Sequence, residues 1–291
     1  MQLKKVTAVM VLYNTANIVL DCLNKIKNID IIIVDNGKNN LNLINFIKNN
    51  YKIIKYFKPK KNLGFGRACN FAFKYVKSEY TLLIEPDVFL DELSLKKLII
   101  TLDEYPEAGM ATPRFLDSNG KAVDFLGHFQ EEGKGVFRNR FEESINLRLS
   151  GTIPDGDVCV KFCLAAILLL NNKVISKIGL FNKKIFLYWE DFELCRKLWN
   201  QKIPVLKSFN STAIHLERQS VNPSFLNKFI MTVHNDKSAY IYFRVKKNNF
   251  LFVKKFFLYF FRFICYLIIL NFNKSFKNLA RLFAIYLYLK N

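Results

Sequence analysis

Four stretches of the chain carry residues whose types and spacing suit chemistry. The run from Phe186 to Leu198 sets Glu190, Asp191 and Glu193 directly after Tyr188 and Trp189. Leu194 and Leu198 follow on one helical face, so the acids fall in a first turn, where the helix dipole favours negative charge. A capped surface helix accounts for the acids alone. The neighbouring aromatics support a second reading: a wall for a flat or ring-shaped ligand beside a partly desolvated carboxylate held ready as a base. Glu85-Pro86-Asp87 follows the apolar run Tyr80 to Ile84. Two carboxylates so spaced can hold a hard divalent cation that also meets phosphate oxygens, or can simply be a solvated loop. Asn62 to Asn70 contains Gly64, Gly66 and Arg67 at what reads as a helix start. Free N–H groups, close backbone approach and a fixed cation suit a diphosphate, and a packing turn explains the glycines equally. His215, trailed by Arg218 and Ser220, is either a structural histidine or part of a phosphate or metal site; His128 and His234 are the other two histidines.

The elements that must position these residues can be read from periodicity. Val6–Leu12, Ile29–Val34, Tyr51–Phe57, Tyr80–Ile84 and Gly109–Thr112 are short apolar runs of strand length. Between them lie helix-like segments at Asn17–Lys27, Leu41–Asn49, Asn62–Lys77 and Leu93–Tyr105. This alternation predicts an α/β fold with a parallel, doubly wound sheet. Ligands of such sheets bind beyond the carboxyl ends of the strands, so Asn14, Asp35 and Asp87 should converge on one crevice. Leu116 to Gly156 is polar and glycine-bearing and reads as long loops or a hairpin. Val158 to Leu170 is strongly apolar, Asn171–Ile178 a turn and short helix, Ile203–Leu206 a strand, and Pro223–Val245 a helix.

Composition bounds the setting. The chain has 291 residues, 51% of them hydrophobic, and a formal charge of +20. From Ile241 to Asn291 there are ten basic residues and no acid, so about half of the excess lies there. The six cysteines are scattered, with only Cys159 and Cys163 close, which predicts free thiols rather than a zinc site. Val6–Leu12 is too short for a signal peptide and runs straight into a turn, which predicts a cytoplasmic catalytic region. The division expected is a catalytic domain over residues 1–222 and a helical, basic-aromatic region over 223–291. The tail from Phe250 to Leu289 is broken by Lys254, Lys255 and Arg262, and its clean run Phe263–Leu270 is far short of the ~20 residues a spanning helix needs. Bulky apolar residues amid basic ones suit a helix lying on an anionic membrane surface, or one packed on the protein or on a second copy of it.

Taken together, Tyr13-Asn14-Thr15, Val34-Asp35-Asn36, Asn62 to Asn70, Glu85-Pro86-Asp87, Ile178 to Phe181, Tyr188 to Cys195 and His215 to Ser220 resemble, in order and spacing, the bacterial family 2 glycosyltransferases. The nearest likeness is to the rhamnosyltransferase-like branch that builds O-antigen and other surface polysaccharides. The resemblance implies a GT-A fold, a single nucleotide-binding α/β domain. It places Asp35 on the nucleoside, with Tyr13 and Asn14 beside it. Asn62, Gly64, Arg67 and Glu85 fall on the nucleotide-sugar side, and Asp87 and His215 near Mg2+ or Mn2+. Asp191 matches the catalytic base, with Trp189 and Glu190 on the acceptor side. The implied partners are a nucleotide-sugar donor such as dTDP-rhamnose or a UDP-hexose, and a glycan or lipid-linked acceptor. The branch usually has Asn where this chain has Glu85, and a glycine within the segment written here Leu164-Ala165-Ala166.

Two other classes compete. A sugar nucleotidyltransferase would share the scaffold and metal, but needs a glycine-rich basic loop after the first strand. Tyr13-Asn14-Thr15-Ala16-Asn17 has neither glycine nor lysine. A non-enzymatic basic module binding nucleic acid should carry its charge on a folded face with base-reading residues. Here the charge is concentrated in an apolar tail, so no nucleic-acid partner is expected.

Overall fold

The computed structural model describes residues 2–122, 156–216, 224–247 and 250–290. The expectations for His128, Arg218, Ser220 and most of the polar stretch after Leu116 fall outside them.

Four parallel strands form the half of the sheet read most directly from the sequence. They are β1 (Val6–Leu12), β2 (Asp30–Asp35), β3 (Ile53–Phe57) and β4 (Tyr80–Ile84), in the spatial order β3-β2-β1-β4. β2 and β4 are buried along almost their whole length, as largely apolar runs covered on both faces must be. The crossovers are α1 (Ile18–Lys25), α2 (Leu41–Asn50) and α3 (Phe65–Phe73). Asn40 caps α2, its side chain accepting from the backbone N–H of Asn42 and Leu43. α3 begins at Phe65 rather than Asn62, because Gly64 at φ 78° turns the chain immediately before it.

The second half is antiparallel in part. β5 (Val88–Leu90), α4 (Glu92–Glu104), β6 (Met110–Leu116), β7 (Asp157–Cys159), β8 (Ile167–Asn171), α5 (Asn172–Ile178), α6 (Glu190–Asn200) and β9 (Val205–His215) follow in order. β8 runs antiparallel between β4 and β6, β6 pairs parallel with β9, and β5 and β7 pair antiparallel with β9. The apolar run from Val158 to Leu170 therefore begins in β7 and ends in the buried strand β8. The segments expected as a strand at Ile203–Leu206 and a lead-in to His215 are one long strand, β9. A core of aliphatic side chains from β1, β2, β4, α1, α2 and α4 closes this part of the chain.

The chain divides into two compact units. The first holds the described residues of 1–182 and 190–221; the second holds 183–189 and those of 222–291. In the second, α7 (Phe225–Tyr242), α8 (Phe250–Ile268) and α9 (Phe272–Lys290) form a helical layer in which α9 packs on both others. Its small core contains Val233, Ala280 and Ala284 with Phe229 and Leu287 against them. The tail is two helices rather than one. Leu270, at φ 56°, ends α8, and Asn271 accepts from the N–H of Lys274 to start α9.

Candidate active site

The carboxyl ends of β1 and β2 are stitched into one frame. Gly37 lies so close to the first loop that a Cβ there would sit 2.5 Å from the Asn14 backbone N and 2.9 Å from the Tyr13 Cα. Asn14, held at φ 49°, accepts from the Lys38 N–H, and Thr15 donates its N–H to Asn39 Oδ1. Asp35 is the hub. Its Oδ1 accepts from the Gly37 N–H and the Asn39 amide, and its Oδ2 from the Tyr56 hydroxyl at 2.6 Å and the Lys58 ammonium at 2.8 Å. Half-buried in β3, Tyr56 has its own phenol pKa pushed up by burial and by the Asp35 carboxylate.

Asn36 carries the frame on to the glycine turn. Its amide donates to the Gly64 carbonyl at 3.1 Å, and its Oδ1 accepts from the Leu63 N–H at 3.1 Å. Asn62 accepts from the Gly64 N–H, and Arg67 Nε donates back to the Leu63 carbonyl at 2.6 Å. The start of α3 is pinned from its other side. Asn70 donates to the Phe181 carbonyl at 2.8 Å and accepts from the Phe181 N–H at 2.9 Å. Gly66 lies against Phe181, where a Cβ would meet that side chain at 3.0 Å. The glycines thus serve packing and turn geometry, and the same turn presents the helix N-terminus beyond β2.

Glu85, Asp87 and His215 come together because β5 pairs with β9. The register sets Val88 opposite His215, and the Leu216 N–H donates to the Asp87 carbonyl. One ligand atom from each of the three side chains lies within 4.8 Å of the others. His215 Nε2 is 3.8 Å from Glu85 Oε2 and 3.9 Å from Asp87 Oδ1, ion-pair distances beyond hydrogen bonding. Asp87 is buried, and its Oδ1 has no hydrogen-bond partner among the described residues. A buried orphan oxygen flanked by a second carboxylate and an imidazole is the donor set of a divalent-cation site, so these residues fit Mg2+ or Mn2+. Loss of surrounding water, then Asp87 and Asp191, raise the Glu85 pKa to about 8. Its side chain keeps one side open to solvent, which moderates that shift.

The acidic helix α6 begins at Glu190. Two consecutive aromatics in left-handed backbone precede it: Tyr188 at φ 64° and Trp189 at φ 68°. Bulky residues rarely adopt this conformation, and such strain concentrates at functional turns. The Trp189 indole N–H donates to Asn235 Oδ1 at 3.1 Å, and the ring lies against Tyr242 and Phe243. Within the first unit, Asp191 accepts from the Phe192 N–H at 2.8 Å, and the backbone N–H groups of Asp191 and Ala165 also face it. Burial outweighs these donors and lifts the Asp191 pKa to about 6. Glu190, buried with Oε2 unpartnered among the described residues, is raised to about 8 by burial and then by Asp191. Burial and the closeness of the two carboxylates therefore raise both above the ordinary carboxylate range, and they titrate as a coupled pair.

The sequence reading left out Asn36, Asn39, Tyr56, Lys58, Asn70 and the Ala165 backbone. Asn36 and Asn70 lay inside the quoted motifs. Tyr56 and Lys58 carried no local signal, since only pairing of β2 with β3 brings them to Asp35.

The comparisons agree with this geometry. The Glycosyl transferase family 2 profile matches residues 7–163, more than half of the chain, and the chain belongs to that family. The match takes in Asp35, Arg67, Glu85 and Asp87; Asp191 and His215 lie beyond it. Among solved structures, the chain resembles GalNAc-T7 crystallised with UDP, GalNAc and Mn2+. Identity there is 14%, the TM-score is 0.55, and the match covers 75% of this chain and 45% of that one. It also resembles TarS of S. aureus at 14% identity and TM-score 0.48, over 78% of this chain and 38% of that one. The chain thus spans less than half the length of either. No curated protein sequence matches it. The fold is GT-A, as the resemblance implied.

Proposed function

We propose that the chain is an inverting, metal-dependent glycosyltransferase. It would move a sugar from a nucleotide-sugar donor, dTDP-rhamnose or a UDP-hexose, to a glycan or lipid-linked acceptor of surface polysaccharide. The observation that carries the reading is the buried, unpartnered Asp87 oxygen grouped with Glu85 and His215 at a strand end. A divalent cation would satisfy that oxygen, and the flanking carboxylate and imidazole are ligands that suit one.

Asp35 and its partners would hold the nucleoside, with Tyr13, Asn14 and Asn62 lining the same loops. Arg67 and the Gly64 turn at the start of α3 would meet the diphosphate. Asp87 and His215, with Glu85, would hold Mg2+ or Mn2+. When bound, the cation supplies positive charge where the leaving diphosphate gains negative charge. Asp191 accepts the proton of the acceptor hydroxyl as that oxygen bonds to the anomeric carbon. The bond to the diphosphate oxygen breaks on the opposite face, which inverts the centre. Glu190 would act on the acceptor side, and Trp189 is proposed as a further acceptor contact. Residues 246–290 would hold the enzyme peripherally on the inner face of the plasma membrane, where lipid-linked acceptors reside.

The test is release of nucleoside diphosphate by the purified chain with a divalent cation, a panel of nucleotide sugars and glycan acceptors. Loss of release in Asp87→Asn, with the protein still folded by circular dichroism, supports the reading. Equal release in chelator overturns the metal role.

A further inference from the structure

Helix α8 buries a lysine and exposes an apolar stripe. Its buried residues are Phe252, Lys255 and Tyr259, so its inward stripe carries a lysine. Lys255 Nζ reaches the Tyr259 hydroxyl at 3.3 Å, and Asp236 and Arg281 act on it electrostatically. Arg281 Nε in turn lies 3.7 Å from Asp236 Oδ2. This polar cluster fixes the rotation of α8 about its axis. The opposite stripe is apolar and bare: Phe257 is 64% exposed, Phe261 68% and Ile268 73%, with Phe250 and Ile264 in line. A soluble helix shows the reverse arrangement.

We propose that α8 is an interfacial helix whose stripe Phe250, Phe257, Phe261, Ile264 and Ile268 enters an anionic lipid surface. The inference rests on the peripheral-membrane reading of residues 246–290 and names the surface that does the binding. No described helix is long and apolar enough to cross a membrane, so α8 lies along the surface rather than through it. Charge selects the occupant. Ten basic residues and no acid lie between Ile241 and Asn291, so a second copy docked on this face would bring like charges together, whereas anionic lipid neutralises them. Lys254, its ammonium 5.3 Å from the Phe250 ring centroid, flanks the stripe and can extend to headgroups while its stem stays with the apolar face. The same chemistry recurs beside α8's neighbours. A groove of about 370 Å³ along α7 and α9 is lined by Phe225, Phe229, Met231 and Phe276, with Lys228 and Lys277 at its edge.

The test is flotation of the full chain with vesicles of phosphatidylcholine alone and of phosphatidylcholine mixed with phosphatidylglycerol. The wild type should float with the mixed vesicles at low salt. Phe257→Ser and Phe261→Ser, both at exposed positions, should each weaken that binding about tenfold, and Lys254→Gln should weaken it on mixed vesicles only. Binding unchanged in the Phe257→Ser, Phe261→Ser double variant overturns the proposal. So does a wild-type dimer in analytical ultracentrifugation that the double variant converts to monomer, which assigns the face to a second copy. Diphosphate release with a soluble acceptor, measured in parallel, should be unchanged in these variants, so failure of the membrane proposal and failure of the enzymatic reading give different results.

Discussion

His215 Nε2 and Asp87 Oδ1 face each other at 3.9 Å although 128 positions separate them in the chain, because β9 brings His215 opposite Val88. Neither loop could do this alone. Removing the carboxylate by Asp87→Asn should cut metal-stimulated diphosphate release on the order of 100-fold, and should weaken Mn2+ binding measured by calorimetry. Unchanged Mn2+ affinity in that variant would take the cation away from Asp87.

Asp191 works as a base only as the carboxylate. Burial raises its pKa to about 6, so the base is lost as pH falls through that value. The acceptor-dependent rate should therefore rise with pH through about 6 and level off near neutrality. Asp191→Asn should lower it by about 100- to 10,000-fold while donor binding persists. A flat profile from pH 5 to 8 in the wild type would remove Asp191 from this role.

The Asn70–Phe181 clamp predicts a structural effect with a functional readout. Asn70→Ala strips partners from the Phe181 carbonyl and N–H, at a cost of about 1–3 kcal/mol for each group left unpaired. Gly66→Ala presses a methyl on Phe181 and should cost about 1–3 kcal/mol. Urea unfolding gives both values. The donor KM should rise more than kcat falls, since the start of α3 would shift while Asp191 stays in place.

The buried cluster of the C-terminal unit predicts a pH dependence of stability. Burial lowers Lys255 from 10.5 to about 7, so between these values the unfolded chain binds more protons than the folded one. Stability from this group therefore rises with pH across that window and is least below pH 7. Lys255→Met should flatten the dependence and leave stability equal or higher. Asp236→Ala, which leaves Arg281 without its carboxylate, should cost about 1–3 kcal/mol. Chemical unfolding of the full chain at pH 6.5 and pH 9 reads both.

Much of the α/β half was legible because local pattern suffices there. Apart from Thr7 and Thr81, β1, β4 and the inner positions of β2 are apolar, and Asp35 and Asp87 stand at or just after the carboxyl ends of β2 and β4. What escaped depends on chain segments far apart. β8 is apolar like its neighbours, so nothing local tells that it runs antiparallel between β4 and β6. Lys58 and Tyr56 reach Asp35 only through strand pairing, and Ala165 contributes a backbone N–H that no side chain announces. The composition of the tail showed basic and apolar residues mixed, but only the helix packing reveals that Lys255 points in and Phe257 and Phe261 out.

The central claim is that the crevice turns over nucleotide sugars. The most direct measurement is nucleoside diphosphate release by the full chain with Mn2+ or Mg2+, across dTDP-, UDP- and GDP-sugars, alongside nucleoside triphosphates with sugar phosphates. The account predicts diphosphate release from at least one nucleotide sugar, abolished by Asp191→Asn, and no triphosphate turnover. Pyrophosphate release from a triphosphate, with every nucleotide sugar left intact, would contradict it and make the protein a nucleotidyltransferase.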